Sequence, residues 1–195
     1  MSAPVFLRIY LLAGLVFHKA VWEVMKRRAK ASSSDPAPAP KAKALSALKV
    51  AILIAILVQT LVPDILPIVS EPEYLRVAGL ILYTFGLVIA VAARIQLGMN
   101  WSDIEKSFVA DDHSLVARGL YRFVRHPIYT GDTLLLAGLE LALNSWGVAA
   151  VIPLMFYVRM QAVKEERRLL ASLPGYEQYY RHTSRFIPFA ALLGK

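Results

Sequence analysis

Four long apolar runs dominate the pattern of hydrophobic and polar positions in this chain. A helix rises about 1.5 Å per residue and the hydrocarbon core of a bilayer is about 30 Å thick, so a run of about 17 to 25 residues can span it. The runs cover residues 5–22, 45–62, 77–93 and 133–158. They predict membrane-spanning α-helices, with Arg8 and Lys19 extending from the ends of the first run.

The fourth run contains a turn signal. Asn144-Ser145-Trp146-Gly147 interrupts it with two polar residues and a closing glycine. A single crossing would place a basic C-terminal segment outside, although Lys and Arg favour the cytoplasmic side. We therefore interpret the run as a helical hairpin of residues 133–143 and 147–163. The predicted fold class is an all-α integral membrane protein with about five transmembrane segments, of which the fourth and fifth form the hairpin.

The polar stretches between the runs predict the topology. Residues 26–43 begin with Lys-Arg-Arg-Ala-Lys and continue with alternating Pro and Ala, a composition typical of a flexible linker on the cytoplasmic side. The N-terminus then lies on the opposite side, while residues 98–131 form a cytoplasmic loop and residues 164–195 a cytoplasmic C-terminal segment. The whole chain, 1–195, is expected to form a single membrane domain.

Composition supports a membrane protein and excludes several other classes. Of the 195 residues 57% are hydrophobic, and the mean hydropathy is +0.50, which is high for a soluble domain. The net charge of +8 comes from Lys and Arg beside the apolar runs, so no nucleic-acid partner is expected. The chain has no cysteine, which excludes disulfides and thiolate ligands. We expect membrane lipids as neighbours, no metal site and no obligate protein partner.

The densest polar sequence precedes the fourth run. It comprises residues 113–116, 119–122 and 125–131. Pro127 disfavours the α conformation at His126, which leaves carbonyls free to bind a ligand, and Gly131-Asp132-Thr133 is typical of a helix start. Tyr121 and Tyr129 offer aromatic rings to an adenine or a sulfonium cation. The alternative, equally weighted on these residues alone, is an interfacial anchor at headgroup depth.

A second polar constellation follows the last apolar run. In Lys164-Glu165-Glu166-Arg167-Arg168, two adjacent acids extend an apolar helix. A solvated helix face with Glu and Arg pairing three residues apart is the usual interpretation of such a run. A pair of acids beside a ligand pocket is the alternative.

Together these stretches resemble the isoprenylcysteine carboxyl methyltransferase family, which is related to the phospholipid methyltransferases. The resemblance covers the C-terminal half, from Leu97 to Pro188. The shared elements, in the family's order, are Arg-His-Pro-x-Tyr-x-Gly at 125–131, Glu-Glu at 165–166, Gly175-Tyr176 with Tyr179-Tyr180, and Arg-Phe-Ile-Pro at 185–188. The resemblance implies a compact helical bundle in which the two C-terminal motifs enclose S-adenosylmethionine in a cytoplasmic pocket.

The resemblance also implies which residues line that pocket. Glu165 would pair with the amino group of the cofactor. Family members that methylate a prenylcysteine have an Arg one helical turn before the first Glu, where this chain has Gln161. Arg159 is near in sequence but not on the same helix face, and both residues are candidates for contact with a lipophilic acceptor that arrives from the bilayer. The residues expected to contact the cofactor are His113, Ser114, Leu115, Val116, Tyr121, His126, Pro127, Ile128, Tyr129 and Glu165.

The predicted activity is methyl transfer to that acceptor, in the first place carboxyl O-methylation of isoprenylcysteine. A phosphatidylethanolamine N-methyltransferase is the alternative that Gln161 favours, and an NADPH-dependent sterol-type reductase and a non-enzymatic scaffold rank below it. A carboxylate acceptor needs no base, whereas an amine must lose a proton, for which His126, Glu166 and His113 are the candidates. Glu140, an acid inside the predicted hairpin, either supports the turn or lines a pocket.

Overall fold

The computed structural model describes residues 4–30, 40–62, 65–98 and 114–188. Within these ranges the chain is mostly helical and forms two isolated β-bridges but no extended strand. The helices are α1 (Val5–Lys30), α2 (Pro40–Leu61), α3 (Glu73–Leu97), α4 (Pro127–Ala142), α5 (Val151–Ser172) and α6 (Tyr176–His182). Short 3-10 turns at Gly119–Arg122 and Trp146–Ala150 precede α4 and α5.

Several of these helices suit an apolar solvent. Three stretches in the described part of the chain are long and apolar enough to cross a bilayer, Val5–Arg28, Glu73–Leu97 and Trp146–Ser172, and the apolar stretch Val50–Leu61 is shorter. One face of α3 carries apolar side chains that are 57% to 66% exposed: Val77, Ile81, Phe85 and Val88. Such a face would be unfavourable in water and fits contact with lipid.

The opposite face of α3 packs directly on α4. Gly79 and Gly86 of α3 and Gly131 and Gly138 of α4 form a glycine seam, in which each helix has its two glycines seven residues apart. A Cβ atom at any of the four would lie within 3.0 Å of backbone atoms of the other helix. Small residues that let helix backbones touch are typical of packing inside membranes. The antiparallel α3–α4 pair is therefore the rigid centre of the fold.

Substitution in the glycine seam tests this packing. We expect Gly138→Ala to lower the free energy of unfolding by about 1 to 3 kcal/mol, because the new methyl group meets the backbone of Tyr83 and Gly79. Thermal unfolding in detergent measures the effect. The matched control is Val88→Ala on the lipid-facing side of α3, where the side chain is 60% exposed. Equal stability of the two variants would contradict close packing at the seam.

Hydrogen bonds attach α1 to α3 and α2 to α1. The Tyr83 hydroxyl of α3 donates to the Leu11 carbonyl of α1 at 2.7 Å. The hydroxyls of Tyr10 and Thr84 lie 2.9 Å apart. Arg8 of α1 donates to the last carbonyl of α2, that of Leu61, at 3.1 Å. Trp22, further along α1, packs against the cluster that contains Ala93, further along α3, so the two helices run in the same direction.

The predicted interruption at residues 144–147 lies between α4 and α5. Asn144 has a φ of +55°, a conformation that asparagine tolerates better than most residues. Its side-chain oxygen accepts hydrogen bonds from the backbone N–H groups of Ile68 and Val69 at 3.2 and 3.1 Å. Glu140 is buried beside this turn and accepts a hydrogen bond of 2.7 Å from Gln59 of α2. These contacts favour a structural role for Glu140.

Some element boundaries differ from the sequence prediction. α4 begins at Pro127, before the predicted Gly131–Thr133 start, because proline needs no hydrogen-bond acceptor in the first turn and His126 has the extended φ of −125° at the N-cap. α1 continues to Lys30 and α2 begins at Pro40, so both ends of the predicted linker 26–43 are helical. Residues 26–30 and 41–43 are Lys, Arg and Ala, which are good helix formers. A helix need not end at the membrane surface.

Candidate functional site

Glu166, near the C-terminal end of α5, is the centre of a buried ionic cluster. Its side chain is 2% exposed. Arg125 donates to it from Nε at 2.9 Å. Arg185 donates from Nε and from a terminal nitrogen at 3.0 and 2.7 Å. His126 Nε2 lies 3.2 Å away. A buried carboxylate with this many donors remains ionised and ties together three distant parts of the chain.

The C-terminal segment after α6 docks on the residues that precede α4. The backbone N–H groups of Arg125 and His126 donate to the carbonyls of Ser184 and Arg185 at 2.8 and 3.1 Å. The Arg125 guanidinium donates to the Thr183 carbonyl and lies 4.2 Å from the centre of the Tyr180 ring. The hydrogen bonds that Arg185 donates to Glu166 raise the pKa of the Arg185 guanidinium, which therefore stays charged. The Arg-Phe-Ile-Pro element is thus part of the site.

Glu165 has a different environment from its neighbour. Its side chain is 45% exposed, and it accepts a hydrogen bond of 3.0 Å from the Tyr129 hydroxyl. His126 Nδ1 lies 3.8 Å from the same carboxylate. The rings of His126 and Tyr129 stack with 5.2 Å between their centres and 6° between their planes. Glu165 therefore keeps unused acceptor capacity beside an aromatic stack.

His126 is held in a defined orientation between the two acids. A carboxylate only accepts hydrogen bonds, so Nε2 is the nitrogen that carries the hydrogen toward Glu166. In the neutral ring the lone pair of Nδ1 then faces the side of Glu165. The ring is 6% exposed and packs between Tyr129 and Phe186.

An apolar cluster closes the site from the side of α3. Ala93, Tyr121 and Ile128 form its buried part. Trp22, Leu97, Val116, Leu120 and Tyr129 pack against that part. Burial, followed by the charge of Glu165, raises the pKa of Tyr121, so that its hydroxyl is neutral at physiological pH. The backbone carbonyl of Tyr121 accepts a hydrogen bond of 2.7 Å from the hydroxyl of Tyr179, which connects the cluster to α6.

The structure brings most of the residues expected at the cofactor together. Tyr121, His126, Pro127 and Ile128 are buried. The partly buried Val116 and Tyr129 pack against the cluster that contains Tyr121 and Ile128. Leu115 is also partly buried. Ser114 is exposed. Leu115 approaches Gly175, at the N-terminus of α6. His113 lies outside the described residues.

The residues expected to contact the acceptor lie on α5. Tyr157, Gln161 and Glu165 follow one another at four-residue spacing and so share one face. Gln161 donates to the Tyr157 hydroxyl at 2.8 Å. Arg159 is exposed and lies off this face. Tyr157, Gln161 and Glu165, the three side chains on the shared face, carry no positive charge.

Sequence reasoning assigned no role to several residues of the site. The motif that contains Arg125 was recognised, but the bond between Arg125 and Glu166 was not, because the two residues are 41 positions apart. The bond between Arg185 and Glu166 likewise joins residues 19 positions apart. Trp22 comes from α1, outside the stretches that carried the resemblance. A tryptophan at the end of the first apolar run is a usual interfacial residue, so the sequence offered no specific signal for it.

Comparison with known proteins shows which family the chain is similar to. A family model described as phospholipid methyltransferase matches residues 74–175, which is more than half of the 195 residues. The human protein-S-isoprenylcysteine O-methyltransferase is 28% identical over 126 residues, covering 63% of this chain and 44% of the relative. The cobalt-zinc-cadmium resistance protein CzcN of Cupriavidus metallidurans is 35% identical over 83 residues, covering 42% of this chain and 38% of the relative.

A solved structure shows the same fold over the matched region. The eukaryotic intramembrane Ras methyltransferase, isoprenylcysteine carboxyl methyltransferase, superposes with a TM-score of 0.53 and 26% identity over 60% of this chain and 43% of that chain. The chain spans less than half of the length of each of these three proteins. With its apolar helices it is an integral membrane protein. From the family match and these similarities, the chain belongs to the phospholipid methyltransferase family and resembles its isoprenylcysteine carboxyl methyltransferase relatives.

Proposed function

We propose that this protein is a membrane methyltransferase that uses S-adenosylmethionine and acts on a lipophilic acceptor. The observation that carries the proposal is the convergence of two distant motifs. Residues 125–129 and the pair Glu165-Glu166 meet in one cluster, although most of α4 and α5 lies between them in the sequence. The family match and the similarity to named methyltransferases support the same conclusion.

The residues present fit this donor. Glu165 is half-exposed, and the hydrogen bond from Tyr129 uses only part of its acceptor capacity, so it can pair with an ammonium group. The partly buried ring of Tyr129, which stacks on His126, supplies an aromatic surface for an adenine or a sulfonium. When bound, S-adenosylmethionine supplies an electrophilic methyl group. The protein positions the two reactants and excludes water, which are the main requirements of an in-line displacement.

The finer arrangement in the membrane is part of the proposal. We place the site on the cytoplasmic side, with α4 and α5 as a helical hairpin and five helical segments, α1 to α5, in or across the bilayer. The basic residues near the site end support this orientation, since Lys164, Arg167 and Arg168 follow the apolar part of α5 and Arg27 and Arg28 follow that of α1.

The first candidate acceptor is an isoprenylcysteine carboxylate. It is favoured by the names of the curated relatives and by the solved structure. A carboxylate can attack the methyl group directly and needs no base from the protein.

The second candidate acceptor is the amine of a phospholipid. The α5 face beside Tyr129 favours it, because Gln161 is bonded to Tyr157 and the next polar group on that face is the acid Glu165. None of Tyr157, Gln161 and Glu165 is a cation that could hold a carboxylate, so the face suits an acceptor group without a negative charge. The description of the matching family also agrees with a phospholipid.

Binding of the methyl donor is the first test. Purified protein in detergent should bind S-adenosylmethionine and its demethylated product in titration calorimetry, and turnover with labelled donor should occur with prenylcysteine analogues or with phosphatidylethanolamine. Absence of donor binding would overturn the proposal. Turnover with NADPH and a sterol instead would revive the reductase alternative.

Removal of the Tyr129 hydroxyl should weaken donor binding without affecting the fold. Tyr129→Phe leaves the stack with His126 but removes the hydrogen bond that holds the Glu165 carboxylate in position for the donor. A hydrogen bond of this kind is worth about 1 kcal/mol, so we expect an affinity change of roughly fivefold by calorimetry. Tyr10→Phe, which removes an α1–α3 hydrogen bond far from the site, is the matched control and should bind the donor normally.

A further inference from the structure

A histidine and an aspartate pair between α1 and α4. His18 Nε2 lies 2.9 Å from Asp132 Oδ1, and the two side chains are 21% and 36% exposed. The His18 ring also stacks on Trp22, with 4.0 Å between ring centres and 23° between planes. Neither residue belongs to the cluster around Glu166.

The pair lies where ionisable groups are rare, and it is partly exposed. His18 lies inside the candidate span Val5–Arg28, and ionisable groups within membrane helices are unfavourable unless they are paired or face a cavity. Neutral hydrogen bonds, those of Tyr10 and Tyr83, already attach α1 to α3. Glu140 offers a comparison, since that acid is 8% exposed and closed in beside the α4–α5 turn. The His18–Asp132 pair remains accessible.

The pair borders the proposed site on the side of α1. Asp132 lies three residues after Tyr129 on α4, so the two share a helix face. Trp22 lies four residues after His18 and packs against the cluster that contains Tyr121. The His18–Asp132 pair therefore adjoins the proposed site. His126, which is 6% exposed between Tyr129 and Phe186, is more enclosed.

The hydrogen bond fixes the form of the imidazole. Asp132 as a carboxylate only accepts, so Nε2 of His18 carries the hydrogen and Nδ1 of the neutral ring carries a lone pair. A carboxylate that orients a histidine in this way also stabilises the imidazolium formed when the ring takes up a proton.

We infer that His18 is the proton acceptor for an amine acceptor, with Asp132 as its positioning residue. This inference rests on the proposed function and concerns its second candidate acceptor. An ammonium group transfers one proton to His18 Nδ1, and the freed nitrogen lone pair forms a bond to the methyl carbon while the sulfur–carbon bond of the donor breaks. The donor leaves as a neutral thioether, the product is a methylated ammonium, and His18 returns its proton to water.

The test compares two acceptors in the full-length protein. With phosphatidylethanolamine, His18→Asn should lower kcat about 100-fold, whereas with a prenylcysteine analogue, which needs no base, any turnover should change less than about twofold. Donor affinity in calorimetry should equal that of the unaltered protein. Tyr10→Phe, the matched control on α1, should leave all three measurements unchanged.

Asp132→Asn is a second variant that keeps the shape and an oxygen acceptor for Nε2. It should show the same selective loss with the amine acceptor, smaller than that of His18→Asn. An equal loss with both acceptors, or none with the amine, would overturn the role of His18 and leave the proposed function standing. Failure of the unaltered protein to methylate any amine would do the same. Failure to bind the donor at all would overturn both.

Discussion

The variant Glu166→Ala should unfold at a markedly lower temperature than the unaltered protein. It leaves Arg125 and Arg185 beside His126 without their common carboxylate, and Arg125 is buried with 8% of its side chain exposed. Removal of one partner from a buried ion pair costs about 3 to 5 kcal/mol, because the remaining charges are not compensated. Thermal unfolding in detergent, followed by circular dichroism, measures the loss.

An exposed acid provides the matched control for this effect. Glu177 pairs with Arg181 one turn away on α6, with both side chains about two-thirds exposed, and exposed pairs contribute little to stability. Glu177→Ala should therefore unfold almost normally. If Glu166→Ala does not accumulate, Glu166→Gln keeps the shape and some hydrogen bonds and should show an intermediate loss. Equal unfolding temperatures for the two positions would show that the ionic cluster does not support the fold.

Glu165→Gln should weaken donor binding and leave the stability of the protein normal, in contrast to Glu166→Ala. Its carboxylate is 45% exposed and its hydrogen bond from Tyr129 can be accepted equally well by an amide oxygen. Loss of a charged partner for an ammonium group costs about 2 kcal/mol, or roughly a 30-fold weaker affinity. Calorimetry with S-adenosylmethionine measures this change, and thermal unfolding shows whether the fold is intact.

The control at Glu177 also serves this prediction. Glu177→Gln removes one negative charge from the exposed surface of α6 and should bind the donor as the unaltered protein does. A Glu165→Gln variant with unaltered affinity would remove Glu165 from the donor site. The two adjacent acids are thus separable by experiment, one through the fold and the other through the ligand.

The different roles of these acids follow from contacts that a sequence does not reveal. The resemblance predicted a donor contact at Glu165, and its exposure beside Tyr129 is compatible with that. Glu166 was a candidate proton acceptor, but its geometry does not favour that role, because two arginines and a histidine already bond to it. Their approach depends on the folding of α5 and the C-terminal segment, which no local pattern determines.

The helical nature of the fold was predictable from hydropathy because each apolar run must satisfy its own backbone within the membrane. The start of α4 was misplaced, since Gly131-Asp132-Thr133 has the composition of a helix start while Pro127 has the stronger preference for the first turn. The contact of His18 with Asp132 joins residues 114 positions apart and was not predicted. A histidine inside the first apolar run was the only signal of it.

The ionic cluster at Glu166 has a consequence for the evolution of this protein. Arg125, Glu166 and Arg185 belong to three different segments, and the two arginines share the one carboxylate, so replacing the acid alone would leave both without their counter-charge. We expect an alignment of relatives to show these three positions changing together, with both arginines lost wherever an apolar residue replaces the acid. Insertions between α5 and the C-terminal segment should be rare for the same reason, because they would move one arginine out of reach.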